Sequence, residues 1–260
     1  QSDATMSGIT IMFSKTDTNA YTAPAGHVHF QIGDGSFHES DANAVIPMSQ
    51  WVHIIATRRA TQDAKIYHNA VLQSSGGAPW SGAVTYNHGT YAIGTEKGAG
   101  RYFLGIMDDI RIYNRELSFS EVKALYHEKN PISMLVPNKV PTDGLVAYYP
   151  FNGTANDYSG NELHGVVYGA TLTADRFGNS DSAYSFDGLT NYIKIGDPIP
   201  PLLQIQNAIS LSAWIYVPRN PYGDYGFIVG CQSDATMSGI TIMFSKTDTN
   251  AYTAPAGHVH

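Results

Sequence analysis

Residues Ile209–Tyr216 read Ile-Ser-Leu-Ser-Ala-Trp-Ile-Tyr, and this stretch indicates the class of fold. Successive side chains of a β-strand point to opposite faces of its sheet. Trp214 and Tyr216 therefore fall on one face, and the opposite face carries only aliphatic side chains, which are Ile209, Leu211, Ala213 and Ile215. This period of two predicts a strand with one face in a hydrophobic core.

Short runs of the same kind occur along the whole chain, separated by turn-forming residues. The clearest are Gly8–Ser14, His27–Ile32, Trp51–Thr57, Ala64–His68, Thr90–Ile93, Gly105–Asn114, Leu145–Phe151, Ser182–Phe186 and Tyr192–Ile195. Many short strands with turn signals between them are typical of β-sandwiches and jelly rolls. We therefore predict an all-β protein built as a two-sheet antiparallel jelly-roll sandwich.

One short helix interrupts this pattern near the middle of the chain. Ser118 and Glu121 have the spacing of a capping box, in which each residue bonds the backbone N–H of the other. The apolar residues around this pair are spaced to form one stripe, and they are Leu117, Val122, Leu125 and Tyr126. About two turns of helix are expected here.

The composition excludes several classes of function. Net charge is −7 and charged residues make up 14% of the chain, so the basic surface that nucleic-acid binding requires is not expected. The apolar runs are much shorter than the roughly 20 residues of a membrane-spanning helix. Low charge with many Tyr, Thr, Ser and Asn residues is typical of extracellular proteins, so a secreted or cell-surface location is expected.

The two ends of the chain are identical in sequence. Residues 1–29 and 232–260 are the same 29 residues, so the chain repeats itself with a period of 232 − 1 = 231. Exact repeats at a fixed period indicate repetitive architecture. A tandem array or fibre, an engineered circular permutant with an overlap, and chain ends set by a repeating object would each produce this pattern, and we favour the array or fibre.

A family resemblance emerges when the chain is read from Gly144 to its end and then from Phe30 onward. The stretches that carry it are Asp157–Asn161 with His164-Gly165, Tyr184–Gly188 with Tyr192-Ile193, Trp51–His53, and Met107–Arg115 before the short helix. In combination they resemble the laminin-G-like, concanavalin A-like lectin/glucanase domain. The resemblance covers nearly the whole period.

The resemblance also suggests how the chain is divided. Residues 1–130 correspond to the later part of one laminin-G-like domain, and residues 144–260 correspond to the first part of the next. Residues 131–143 form a proline-bearing linker, because proline cannot enter the interior of a sheet. Each part needs completion, either by the other part of its own chain or by a neighbouring copy.

Domains of this family often bind calcium at the rim of the sandwich, so the resemblance implies a calcium site. Calcium prefers carboxylate and carbonyl oxygens on loops. The best candidates are Asp108 and Asp187. The alternative is structural: Asp187 caps its own turn, and Asp108 or Asp109 pairs with Arg111 or Arg115.

The resemblance also implies a family that is mostly non-catalytic and binds sugars, proteins or cell-surface partners. Sugar binding uses exposed aromatic side chains beside polar groups. Trp80, Tyr222 and Tyr225 lie in predicted rim loops and are the candidate glycan contacts. These side chains suit packing between neighbouring units or over the ends of the sandwich equally well.

Catalysis is not expected. Glucanases of the same superfamily carry carboxylates in a Glu-x-Asp-x-Glu or Glu-x-Asp-x-x-Glu pattern, and the mechanism needs two of them about 5 Å apart. Glu39-Ser40-Asp41 is the nearest match, but the last carboxylate is missing and the surrounding GDGSFHESDANA reads as a loop. No Ser/His/Asp or Cys/His signature is evident, so no catalytic residue is assigned.

These observations predict a non-enzymatic extracellular structural or adhesive unit. Copies would associate head to tail into a fibre, a stalk or a surface adhesin, and many weak sites would then bind with avidity. The alternatives are a carbohydrate-binding module, attached to a hydrolase elsewhere, and a glycoside hydrolase.

Overall fold

The computed structural model describes residues 26–33, 37–76, 84, 86, 89–96, 101–128, 140–218, 225–232 and 240–245. The strands among these residues form two main antiparallel β-sheets. The predicted strand Gly8–Ser14 lies outside the described residues, but its identical copy forms the strand Ile240–Ser245.

In chain order the strands are β1 (Val28–Gly33), β2 (Phe37–Asp41), β3 (Trp51–Arg59), β4 (Ala64–His68), β5 (Val71–Gly76), β6 (Thr90–Ile93), β7 (Thr95–Glu96), β8 (Arg101–Tyr102), β9 (Leu104–Tyr113), β10 (Leu145–Tyr149), β11 (Val166–Tyr168), β12 (Thr171–Thr173), β13 (Ala183–Asp187), β14 (Tyr192–Gly196), β15 (Ala208–Tyr216), β16 (Tyr225–Gln232) and β17 (Ile240–Ser245). Within the described residues, the helix α1 spans Phe119–Tyr126 and a 3-10 turn spans Pro201–Leu203.

The first sheet, sheet A, has the strand order β11-β14-β6-β16-β17-β1-β2. The second sheet, sheet B, has the order β12-β13-β9-β15-β3-β4-β5, and β10 also pairs with β9. All pairs between these strands are antiparallel, and β7 and β8 form a small separate hairpin. The prediction of an all-β, two-sheet antiparallel sandwich is confirmed.

The main core contains the inward faces of both sheets. β15 contributes Ile209, Leu211, Ala213 and Ile215, all at most 1% exposed. The face of β15 that the sequence predicted to lie in the core is therefore the one that does. Sheet A contributes residues such as Phe30, Tyr91 and Ile193 to the same cluster. Burial of this apolar surface is the dominant favourable term in folding.

The outer face of sheet B is covered by α1, as the amphipathic stripe predicted. Val122 and Leu125 of α1 pack with Leu117 against Ile55 and Tyr113 of the sheet. The predicted capping box is present, because the Ser118 side chain accepts from the Glu121 N–H and the Glu121 carboxylate accepts from the Ser118 N–H. Arg115 donates two hydrogen bonds to Glu121 and holds the start of the helix in place.

Strands from both sides of the proline-bearing segment alternate within each sheet. In sheet B, β9 lies between β13 and β15, and β15 in turn lies between β9 and β3. In sheet A, β6 lies between β14 and β16, and β17 pairs with β1. Residues 26–128 and 140–245 of this one chain therefore complete one sandwich. The assignment of these two parts to successive copies of a domain stays a prediction.

One local prediction was wrong. The stretch GDGSFHESDANA was read as a loop, but Phe37–Asp41 within it is strand β2. β2 pairs with β1 in regular register from Gly33↔Phe37 to His29↔Asp41. Tertiary pairing overrides the Gly and Asp content of this segment, which suggested a loop.

Candidate functional site

Asp187, the first of the two predicted calcium ligands, organises the turn after β13. Its Oδ1 accepts hydrogen bonds from the backbone N–H groups of Leu189, Thr190 and Asn191, and its Oδ2 accepts from the Thr190 hydroxyl. Desolvation alone would raise the pKa of Asp187, but these donors outweigh it and lower the pKa to about 2. The carboxylate is therefore ionised and caps its own turn.

Asp108, the second predicted ligand, lies in a buried ion network. Its Oδ2 accepts from Arg176 Nη1 at 2.6 Å, and its Oδ1 accepts from the backbone N–H of Asp109. The same guanidinium donates from Nη2 to Asp109 Oδ2 at 2.7 Å. Arg176, which the sequence did not single out, thus bridges two consecutive carboxylates.

The network extends through Arg111. Its guanidinium lies 2.6 Å from Glu128 Oε2 and 3.8 Å from Asp109 Oδ1. Its central carbon also lies 3.9 Å from the ring centroid of Tyr148, whose hydroxyl donates to Asp109. The alternative pairing of Asp109 with Arg111 is therefore present at the longer distance, while Arg176 is the closer partner.

An aromatic cluster borders the same network. Trp214 stacks on His53 with ring centroids 4.9 Å apart and on Tyr126 of α1 with ring centroids 5.7 Å apart. The Cζ atom of Arg176 lies 4.4 Å from the centroid of a Trp214 ring. Burial, followed by the positive charges of Arg111 and Arg176, lowers the pKa of His53 to about 3. His53 is therefore neutral, and its Nε2 shares a hydrogen bond with Ser212.

The two predicted calcium ligands lie at different places along their strands. Asp187 is on β13, where it is opposite Leu104, the first residue of β9. Asp108 is on β9 itself, four positions after Leu104, and is opposite Trp214 of β15. In the part of the chain that the structure describes, no three His, Cys, Asp or Glu side chains are grouped so that they could hold a metal ion. Calcium binding by Asp108 or Asp187 stays a prediction.

The predicted glycan contacts can be placed only in part. Trp80 and Tyr222 lie outside the described residues. Tyr225 is the first residue of β16, where its backbone is opposite Ser245 of β17. Glycan binding by these three residues stays a prediction.

An aromatic pair with one exposed ring, which the sequence analysis missed, lies at the edge of sheet A. Tyr168 of β11 is directly opposite Tyr192 of β14, and their rings are parallel within 5° with centroids 4.5 Å apart. Tyr168 is 39% exposed, and Lys194 Nζ lies 5.6 Å from its ring. Because β11 is the last strand of the sheet, this pair is an aromatic surface beside an open strand edge.

The sequence contains a signal for this pair that becomes clear only with the strand register. Val166-Val167-Tyr168 and Tyr192-Ile193-Lys194 are short runs of strand-forming residues, but the opposition of the two tyrosines depends on how β11 aligns with β14. Register is set by pairing across the sheet, which a single sequence does not display.

The nearest approach to a glucanase carboxylate pattern lies on β2. Glu39 and Asp41 are two residues apart on this strand, which ends at Asp41. A third carboxylate in the pattern would follow at position 43 or 44, where the chain has Asn43 and Ala44. Asn43 instead donates its backbone N–H to the carbonyl of Gln73 on β5.

The fold and these surfaces define an antiparallel β-sandwich of the lectin-like class, with one short helix packed on one sheet. Residues 1–123 match the family model described as concanavalin A-like lectin/glucanases superfamily, of the third laminin-G type. Over residues 1–123 this match confirms the resemblance to the concanavalin A-like lectin/glucanases superfamily that was found in the sequence. Searches of curated proteins and of solved structures found no match.

Helices of the described residues are too short and too polar to cross a bilayer.

Proposed function

We propose that this chain is a non-enzymatic extracellular structural or adhesive unit that associates with copies of itself. The observation that carries the proposal is the alternation of strands from residues 26–128 and residues 140–245 in both sheets. Neither part has a complete sheet without the other. An isolated part would expose unpaired strand edges and one face of the core.

Each part needs the other to complete its sheets, and the same part of a second copy of the chain can take that place. The strand pairings that close the sandwich within one chain are chemically the same between two chains that exchange parts. Exchange of identical elements between protomers is a low-cost route to association, and a head-to-tail exchange that does not close gives a filament. The exact 231-residue period of the sequence supports this reading.

The extracellular location belongs to the same proposal. It is supported by the low content of charged residues, 14%, and by the abundance of Tyr, with 17 residues. Many identical sandwiches joined in a row would present each surface many times, and weak contacts would then add up to useful avidity.

The experiment that tests the proposal is the mass of the polypeptide from its native source, measured first denatured and then native. A denatured mass many times 28.2 kDa supports a covalent array. A denatured mass near one repeat with large native particles supports non-covalent assembly. A denatured mass near one repeat, together with native particles no larger than a single chain, would overturn the proposal.

A second candidate function is carbohydrate binding, and the Tyr168–Tyr192 pair favours it. Tyrosine rings bring an apolar face and a polar hydroxyl to one surface, which suits the mixed surface of a sugar ring. Exposed Val166, at 53%, extends the apolar surface along the same strand. Lys194 adds a hydrogen-bond donor near the rings.

A glycan array with three full-length proteins tests this second function. We expect Tyr168→Ala to lose at least about tenfold in affinity for any glycan that the wild type binds, in line with the loss of one aromatic contact. Tyr158→Ala is the matched control, because Tyr158 is 58% exposed and lies between β10 and β11, outside the strand that carries Tyr168. Equal binding by all three proteins would exclude the Tyr168 surface.

A further inference from the structure

The stacked rings of Tyr168 and Tyr192 are the basis of the inference. The ring planes are parallel within 5°, and the ring centroids are 4.5 Å apart. Two aromatic rings at this separation are in van der Waals contact. Carbon atoms of the two rings are therefore neighbours before any reaction takes place.

The backbone around the pair keeps the two rings opposite each other. Tyr168 of β11 is aligned with Tyr192 of β14, and the pair before it joins Val167 to Ile193. Ile193 is 0% exposed, and Val167 packs against the same main core. Gly169, which follows Tyr168, forms a further bridge with Tyr192. A slip of β11 by one residue would take Val167 out of the core, so the register that opposes the tyrosines is fixed.

The pair can be reached by a small reagent in the solvent. Tyr168 is 39% exposed and Tyr192 is half-buried. β11 is the last strand of sheet A in the part of the chain that the structure describes. The two phenols are thus held together at a surface rather than enclosed in the core.

Two phenols in contact can be joined by oxidation. A one-electron oxidant removes one electron and one proton from each phenol, which gives two tyrosyl radicals. The radicals form one bond between ring carbons ortho to the oxygens, and each of these carbons then loses its proton while the oxygen gains one. With hydrogen peroxide as the electron acceptor, two tyrosines and one peroxide give one dityrosine and two water molecules. Reactants that are held in contact react much faster than reactants that must first meet.

We propose that Tyr168 and Tyr192 are the site of an oxidative cross-link, formed by a peroxidase with hydrogen peroxide, that ties the edge strand β11 to β14. This inference goes beyond the proposed function and does not depend on self-association. A short strand at the edge of a sheet is among the elements that open most readily. A bond between residues 168 and 192 closes a loop of the chain and restricts this opening.

The test treats the full-length protein with a peroxidase and hydrogen peroxide. Dityrosine is detected by its fluorescence, and mass spectrometry of a tryptic digest then locates it. Arg176 lies between the two tyrosines, so trypsin places them in separate peptides, residues 140–176 and residues 177–194. We expect these two peptides to be joined, with their summed mass reduced by two hydrogen atoms.

Three variants distinguish this pair from the other tyrosines of the chain. Tyr168→Phe and Tyr192→Phe keep the aromatic ring and remove the phenol, and each should lower the yield of the joined peptides at least about tenfold. Tyr158→Phe is the matched control, because Tyr158 is 58% exposed and lies in the same tryptic peptide as Tyr168. It should leave the yield unchanged. Equal yields in all four proteins, or no joined peptides in the wild type, would overturn the inference.

Protein concentration and thermal unfolding test whether the bond lies within one chain and holds β11. The yield should be the same at every protein concentration, and the product should keep the denatured mass of one chain. The cross-linked protein should unfold at a midpoint about 5 °C higher, or more, than treated Tyr168→Phe. A yield that rises with concentration would show that the rings join different chains. That result, or an unchanged midpoint, would contradict a cross-link that ties β11 to β14.

Discussion

Arg176 Nη2 lies 2.7 Å from Asp109 Oδ2, and this contact joins the two parts of the chain within sheet B. Asp109 is on β9, from residues 26–128, while Arg176 lies between β12 and β13, from residues 140–245. The side chains are 0% and 5% exposed, so the pair is screened from solvent. Asp108 shares the same guanidinium, which makes the bridge bidentate across two residues.

The first prediction concerns this bridge. Arg176→Ala leaves two buried carboxylates without this guanidinium, and removing one partner of a buried pair typically costs about 3–5 kcal/mol. We expect urea denaturation of the full-length protein to show a loss of that size. Arg176→Lys should recover only part of it, because an ammonium does not reproduce the planar fork that contacts both carboxylates.

Arg59→Ala provides the control for the loss of one positive charge. Arg59 is an exposed residue at the end of β3, so its replacement should change stability by less than about 0.5 kcal/mol. If Arg176→Ala were as mild as Arg59→Ala, the buried bridge would not contribute to the stability of the sandwich.

The second prediction is a loss of stability in mild acid caused by buried neutral histidines. Burial, followed by nearby positive groups, lowers the pKa of His53 to about 3 and the pKa of His68 to about 4, both from an ordinary value of 6.5. Below 6.5 the unfolded chain binds protons at these positions and the folded chain does not. Stability should therefore fall as the pH decreases from about 6.5 to about 4, by up to about 2.7 kcal/mol per pH unit for the two groups.

Urea denaturation at a series of pH values measures this slope. In His68→Asn the slope in the same window should be about half that of the wild type, whereas at pH of about 8 the slopes should agree. The carboxylates of Asp187 and Glu121, whose pKa values are both lowered to about 2, change the stability mainly below about pH 4.5. They therefore contribute little to the slope between about pH 6.5 and about pH 4.5. An unchanged slope in His68→Asn would show that His68 takes up its proton in the folded state.

The sequence predicted the architecture well because hydrophobic period and capping are local signals. The alternation in Ile209–Tyr216 identified β15 and its buried face, and the capping box at Ser118 located the start of α1. The missed strand β2 shows the limit. Phe37–Asp41 lacks a clear pattern by itself and becomes a strand through its pairing with β1.

The candidate site was harder to predict from the sequence, because it depends on contacts between residues that are far apart in the chain. Arg176 follows Asp109 by 67 positions, and nothing local marks it as the partner of that carboxylate. The Tyr168–Tyr192 stack depends on the register of β11 against β14. The turn formed by Asp187 was foreseen as an alternative to calcium binding, because an Asx turn involves only neighbouring residues.

The third prediction concerns the start of α1. Ser118→Ala removes the side-chain half of the capping box and should cost about 1 kcal/mol. Ser118→Thr keeps a hydroxyl that can cap, so it should lie within about 0.5 kcal/mol of the wild type. Thermal unfolding followed by circular dichroism compares the three proteins. Equal losses in both variants would indicate that packing around the serine, rather than its hydrogen bond, matters.

The last prediction tests a close backbone contact between the two parts of the chain. Gly105 of β9 has φ +143°, and a Cβ added there would lie 2.2 Å from the backbone oxygen of Tyr216 on β15. A backbone atom cannot move away as a flexible side chain can, so Gly105→Ala must push β9 and β15 apart. We expect a loss of about 3 kcal/mol or more in urea denaturation, among the larger effects of a single substitution.

Gly160→Ala separates this steric effect from backbone strain. Gly160 also has a positive φ, of +95°, but an added Cβ would meet nothing within 4 Å. Its loss should therefore reflect conformational strain alone, at about 1–2 kcal/mol. If the two variants lost the same amount, β9 and β15 would have room to separate at Tyr216, and the pairing between the two parts of the chain would be looser there than the register indicates. A clearly larger loss in Gly105→Ala would instead show that close β9–β15 contact is required for the two parts to form one sandwich.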